Sequence, residues 1–193
     1  ELNLIICATL GGDILTPSTA CMVQRAVGAS CIAFDINAAC PGFIYALEAA
    51  EAYFAKDGYR KAWLVACDSM AKLVNWEART TCVLFGDAAG AAVVERGENS
   101  LSSILTAKGD FDILNVSDQG EGRPVVHMNG PSVYRFAVTS GCREIPKALK
   151  KAGITSAEVD HVILHQANLR IIDAVIDKLD IPREKYAVNV EEF

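Results

Sequence analysis

The spacing of apolar residues alternates along the chain between strand runs and helical faces, and this alternation constrains the fold more than any other feature. Leu2 to Ala8 is a continuous apolar run of the kind a strand buried on both faces requires. Thr16-Pro17 reads as a helix start, with a capping hydroxyl followed by proline at the first helical position, and Gly28 as its end. Cys31 to Ile36 predicts a second strand, Gly42 to about Lys56 a helix closed near Gly58, and Ala62 to Cys67 a third strand. Ala88 to Glu95 and Leu101 to Ala107 predict two more. Strands this apolar, alternating with helices, predict an α/β sheet covered on both faces. Between Lys108 and Arg123 the clustering of Gly, Asp, Asn, Ser and Gln predicts a loop. A long helix is expected from about Pro131 to Lys151, kinked or split at Pro146, then a short strand at Asp160 to Leu164. A helix over Asn168 to Leu179 and a strand over Tyr186 to Val190 follow.

Composition narrows what such a chain can do. Of its 193 residues 51% are hydrophobic, enough for a sizeable core and against disorder. Lys and Arg number 18 against 24 Asp and Glu, a net charge of −6, which argues against nucleic acid as a partner. No apolar stretch approaches the ~20 residues a membrane helix needs, so no membrane partner is expected, and no secretion signal opens the chain. The seven cysteines have no C-x-x-C pair and the three histidines cannot complete a zinc box, so no metal site is expected. Most of the thiols sit in apolar runs, as small hydrophobes in a reducing, cytoplasmic compartment. The chain opens inside an apolar strand and stops directly after one, the expectation being an incomplete chain.

Three segments carry candidate chemistry. In Phe34-Asp35-Ile36-Asn37-Ala38-Ala39-Cys40-Pro41-Gly42, a strand enters a small-residue turn and a helix starts just after Cys40. The unpaired N–H groups of that helix favour thiolate; the alternative is a buried structural cysteine. In Val162-Ile163-Leu164-His165-Gln166-Ala167-Asn168, an apolar strand delivers His165 to its end, where ligands bind in layered α/β sheets, although a core or capping histidine reads as well. The third segment, Leu84-Phe85-Gly86-Asp87-Ala88-Ala89-Gly90-Ala91-Ala92-Val93, matches no phosphate-loop motif and suits close backbone packing. Arg79 before it is either a phosphate or carboxylate partner or a solvated surface arginine.

Cys40 in AACPGF, the FGDAAGAAV segment and His165 in HQANLRII occur in this order, and in that combination the chain closely resembles the 3-oxoacyl-acyl-carrier-protein synthase III family of thiolase-fold ketoacyl synthases. The one mild departure is GDAAGA where the family more often has GDGAGA. The resemblance implies a thiolase-like five-layered αβαβα fold built from two similar halves. Residues 1–102 would be the later part of the first half and 103–193 the start of the second. It further implies that Cys40 takes an acyl group from acyl-CoA, and that His165 stabilises the enolate formed when malonyl-acyl-carrier protein loses carbon dioxide. Arg79 would contact the CoA nucleotide, Tyr134 the CoA channel and Asn168 the pantetheine arm. Met70, Leu84 and Phe85 would line the acyl pocket, which Thr16 reaches from the partner subunit of a homodimer. Arg135 and Arg170 would face the acidic carrier protein. Coenzyme A thioester enters as substrate, with no cofactor. The family's third catalytic residue, an Asn beyond the stretch resembling Val188 to Phe193, has no counterpart in the chain; Asn189 is not that residue.

Two other readings compete. A thiolase-fold acyltransferase or secondary-metabolite condensing enzyme would use the same cysteine, and an acyltransferase would release no carbon dioxide. A non-catalytic carrier-protein or CoA-binding partner subunit would need neither Cys40 nor His165.

Overall fold

The computed structural model describes residues 1–120 and 122–190, so Glu121 and the last three residues of the Val188 to Phe193 stretch lie outside the described residues. The chain divides into two compact units, residues 1–70 with 86–99 and residues 71–85 with 100–193.

The first unit is built on a four-stranded sheet: β1 (Leu4–Ala8), β2 (Ile32–Ile36), β3 (Lys61–Ser69) and β4 (Asp87–Glu95), in the order β2-β1-β3-β4. β1 is parallel to both β2 and β3, while β4 runs antiparallel to β3, pairing Lys61 with Glu95 at one end and Ser69 with Asp87 at the other. The unbroken apolar run of β1 has a direct cause. Leu4, Ile6 and Ala8 pack against Ala46, Ala50 and Phe54 of helix α2 (Gly42–Phe54), whereas Ile5 and Cys7 pack with Ala20 of helix α1 (Thr19–Ala26) and Val65. Alternate side chains therefore enter two apolar layers, each large one contributing about 1.5–3 kcal/mol on burial. Gly42 permits the close approach of α2 to β1, since a Cβ there would lie 3.0 Å from the Cβ of Ala8.

The predicted strands and helices of this unit are present, with one shifted start. α1 opens after Ser18 rather than at Thr16-Pro17. Ser18 Oγ accepts from the Cys21 N–H at 3.2 Å, and the Asp35 carboxylate accepts from the N–H groups of Thr19 and Ala20 at 2.8 and 2.7 Å. A carboxylate delivered by β2 thus satisfies donors that local sequence would leave open. Gly28, at φ 66°, follows the helix as expected.

The second unit contains a hairpin of β5 (Leu114–Ser117) and β6 (Val125–Met128), and helices α3 (Gly130–Ala152) and α4 (Leu169–Lys178). Asn129 and Asn168 cap the two helices, and Gly153 at φ 73° terminates α3. α3 and α4 pack closely at Gly141, where a Cβ would come within 3.0 Å of Val175 Cγ2. The hairpin is tied to residues 72–74: Arg123 donates to the carbonyls of Lys72 and Val74, and the Val126 N–H to that of Leu73.

Four expectations are corrected here. The loop expected over residues 108–123 contains β5, whose short Leu-Asn-Val-Ser alternation is hidden by its polar surroundings. Residues 101–107 form no strand, because no described strand lies beside them; instead Ser102 Oγ donates to the Ala148 carbonyl and Lys151 Nζ to that of Ser103. The strands at 160–164 and 186–190 reduce to one parallel bridge between Val162 and Tyr186. α3 runs unbroken through Pro146; that residue is exposed, so the carbonyl left without a helical donor can turn to water.

Candidate functional site

Cys40 lies in the turn between β2 and α2, and it is the only exposed residue among the seven cysteines, all of which are free. Ala39 before it adopts φ 49°, a left-handed conformation that costs a non-glycine residue energy and persists only where its surroundings impose it. Its N–H donates to Asn37 Oδ1 at 3.3 Å, and its carbonyl accepts from the Gly42 N–H at 2.9 Å. Asn37 Nδ2 in turn donates to the Leu10 carbonyl at 3.3 Å. Beneath this, Asp68 Oδ1 accepts from the Leu10 N–H at 2.7 Å and from Thr9 Oγ1 at 3.2 Å. The ends of β1, β2 and β3 are thereby joined at the turn.

The expected lowering of the thiol pKa is not found. Although Cys40 is partly open to solvent, the protein atoms crowding its sulfur raise the pKa, its own backbone N–H opposes this, and the Asp68 carboxylate adds a smaller rise. α2 begins at Gly42, so the sulfur sits one residue ahead of the Pro41 cap. Cys7, by contrast, is a structural thiol: fully buried, 3.5 Å from Cys67 Sγ, and pushed far up by burial.

In the second unit His165 is exposed and immediately precedes the turn into α4. Loss of surrounding water lowers its pKa below the ordinary 6.5, which keeps the ring neutral at neutral pH. The neighbouring Gln166 holds this segment in place. Its Nε2 donates to the carbonyls of Leu164 and Ala187, at 3.1 and 3.2 Å, and its Oε1 accepts from the Asn189 N–H at 2.9 Å. Asn168 Oδ1 accepts from the Arg170 N–H at 2.9 Å as the α4 cap.

The remaining predicted residues divide between the units. Thr16 is exposed ahead of α1 and Met70 is half-buried at the end of β3, both in the first unit. Arg79 and Leu84 are exposed and Phe85 half-buried in the segment before β4; Tyr134 and Arg135 are exposed near the start of α3, and Arg170 in the first turn of α4, all in the second unit. A cavity of about 550 Å³ is lined by Asn75, Thr81, Asp112, His127 and the two neighbours of Arg79, Ala78 and Thr80. Sequence reasoning missed Asp35, Asn37, Asp68 and Gln166, whose only signal was a small polar residue at a strand end or turn. Among the described residues no group of three or more His, Cys, Asp or Glu side chains could hold a metal ion, and no helix is long and apolar enough to cross a membrane.

Two family models match the chain: 3-oxoacyl-[acyl-carrier-protein] synthase III over residues 34–110, and the C-terminal part of the same family over residues 149–193. A beta-ketoacyl-[acyl-carrier-protein] synthase III of Symbiobacterium thermophilum is 41% identical over 100% of this chain and 63% of its own length. The solved 3-oxoacyl-[acyl-carrier-protein] synthase III of Aquifex aeolicus superposes with a TM-score of 0.92 at 41% identity, covering 100% of this chain and 63% of that one. The solved beta-ketoacyl-[acyl carrier protein] synthase III of Thermus thermophilus gives a TM-score of 0.91 at 36% identity, with the same two coverages. The chain thus has the thiolase-like α/β fold and spans a little under two thirds of these relatives.

Proposed function

The chain belongs to the 3-oxoacyl-[acyl-carrier-protein] synthase III family, and from that premise we propose that it carries two of the catalytic groups of an enzyme performing the initiating condensation of fatty-acid synthesis. Cys40 Sγ, once deprotonated, attacks the carbonyl carbon of an acyl-CoA. The tetrahedral intermediate collapses by breaking the bond to the CoA sulfur, leaving the acyl group on Cys40. Malonyl-acyl-carrier protein then loses carbon dioxide, and the electron pair of the broken C–C bond passes into an enolate whose oxygen accepts a hydrogen bond from neutral His165. The enolate carbon attacks the acyl-Cys40 carbonyl, the Cys40 sulfur leaves, and the product is a 3-oxoacyl-carrier protein. The backbone N–H of Cys40 serves the oxyanion of each tetrahedral intermediate.

The observation that carries this reading is the exposed thiol of Cys40 in a strained turn directly before α2. The lowered pKa of His165 supports its role, because an imidazole that is neutral at working pH donates a hydrogen bond without adding a charge. The amide of Asn168 suits the pantetheine arm, and the cavity beside Arg79 suits the CoA nucleotide. Met70, Leu84, Phe85, Tyr134 and, from a partner subunit, Thr16 complete the acyl and CoA contacts, while Arg135 and Arg170 meet the carrier protein. The division into similar halves at 1–102 and 103–193, the homodimer, the cytoplasmic location and the absence of any cofactor belong to the same proposal.

Intact mass spectrometry of the full natural protein after incubation with acetyl-CoA tests it. One acetyl adduct mapping to Cys40 and lost in Cys40→Ala is expected, followed by carbon dioxide release and discharge of the adduct when malonyl-carrier protein is added. An adduct elsewhere, or discharge without carbon dioxide, would overturn the reading.

A further inference from the structure

The strained turn before Cys40 is held by one side chain that can both donate and accept. Asn37 is the last polar residue between β2 and the thiol. Its Oδ1 takes the N–H of Ala39, and its Nδ2 reaches the carbonyl of Leu10 beyond the end of β1. Leu10 is itself fixed from the other side, through its N–H to Asp68 at the end of β3. A continuous hydrogen-bonded path therefore runs from Asp68 through Leu10 and Asn37 to Ala39. With the Ala39 carbonyl held by the Gly42 N–H, both polar backbone atoms of the left-handed residue are engaged.

A residue at φ 49° lacks the freedom of glycine and stays there only while its neighbours impose it. The Gly42 bond alone is a local turn contact that α2 would form in any case. The Asn37 bond is the one that refers the turn to a separate strand of the sheet. Few side chains suit the position: aspartate supplies the acceptor but would face the Leu10 carbonyl with a charge of the same sign, and alanine supplies neither group.

We propose that Asn37 is a positioning residue of the acylation step, holding the Ala38–Cys40 turn so that the Cys40 sulfur keeps its line of approach to the thioester. This rests on the reading of Cys40 as the nucleophile. Asn37 touches no reacting atom; it acts through Ala39, and its loss slows the chemical step rather than substrate binding.

The test uses the full natural protein and the variants Asn37→Ala and Asn37→Asp. Single-turnover acylation of Cys40 by acetyl-CoA should slow by about 10-fold or more in Asn37→Ala, as small misplacements of reacting groups do. Half-saturation should change less than about twofold. Asn37→Asp keeps the bond to Ala39 and should fall between the two; it also decides the matter if the alanine variant fails to fold. A second readout is alkylation of Cys40 by iodoacetamide across a pH series. Its midpoint should move upward in Asn37→Ala, because the thiol then loses the opposing influence of its own backbone N–H. Wild-type acylation rates in both variants would overturn the proposal while leaving the function of Cys40 standing. If wild-type Cys40 takes no acyl group, the nucleophile reading fails, and the alkylation midpoint then decides alone: unchanged, it overturns a positioning role for Asn37; raised, it supports that role for the turn.

Discussion

In the first unit every residue of β1 is buried, and the turn that carries Cys40 is joined to the ends of three strands. In the second, His165 rides on a segment held to its neighbour by one β-bridge and two of the three hydrogen bonds of Gln166, and Ile163 beside it is 83% exposed. The contrast is between a turn that Asn37 ties to the end of a fully buried strand and a segment that Gln166 ties to a neighbour paired through a single β-bridge. On the proposed role of Cys40, a nucleophile that forms and breaks covalent bonds requires a defined approach, which anchorage to a buried parallel sheet provides. A hydrogen-bond donor can be set by fewer, provided its turn and helix cap are in place.

Substitutions test this contrast directly in the full natural protein. The largest effect is expected from Ile6→Ala, about 2–5 kcal/mol of lost stability in denaturant melts, against a change within about 0.5 kcal/mol for Ile163→Ala. Equal losses would remove the distinction between the units. Next, Gly42→Ala pushes a methyl group against Ala8 and should cost about 1–3 kcal/mol by the same measurement. A neutral result would mean that α2 can shift on β1, and the turn with it. Asn168→Ala removes the α4 cap and should cost about 1 kcal/mol, seen as faster amide hydrogen exchange in the first turn of α4.

The smallest effect is a pH dependence in the second unit. The pKa of His165 lies below 6.5 in the folded chain and near 6.5 in the unfolded one. As pH falls below 6.5 the unfolded chain takes up the proton first, so stability declines through that window, levels off below the folded pKa, and is unaffected above 6.5. The difference between wild type and His165→Gln in melts at stepped pH isolates this slope; parallel curves would remove the shift. In the first unit the sign is different: Cys40 alkylation should still be climbing at pH 9.0, the ordinary thiol value, since its pKa is raised.

The same contrast explains what sequence could reveal. β1 was legible because burial on two faces leaves an unbroken apolar run, and the Cys40 turn because a strand, small residues and a helix start follow one another within a few positions. The direction of the thiol shift was not, since it depends on atoms crowding the sulfur and on Asp68, 28 positions away. The start of α1 was misjudged for a related reason: its cap comes from Asp35 on β2. At residues 101–107, 160–164 and 186–190 the apolar pattern is genuine, but a strand is a relation between segments, and pattern alone supplies no partner. The position of His165 just before the turn into α4 was legible from its motif, whereas Gln166 was passed over as part of that motif, although its hydrogen bonds keep the segment in place.

The pairing of Ser69 with Asp87 has a consequence for redesign. Residues 70–86 leave and re-enter the sheet at the two ends of one rung of the ladder, so their two ends are fixed whatever the interior does. Met70, Arg79, Leu84 and Phe85 all fall within that stretch. It forms a natural cassette: if those four residues have the acyl and CoA contacts proposed for them, exchanging it whole with the corresponding stretch of a relative should carry acyl and CoA preference across and leave the nine-pair ladder behind it untouched.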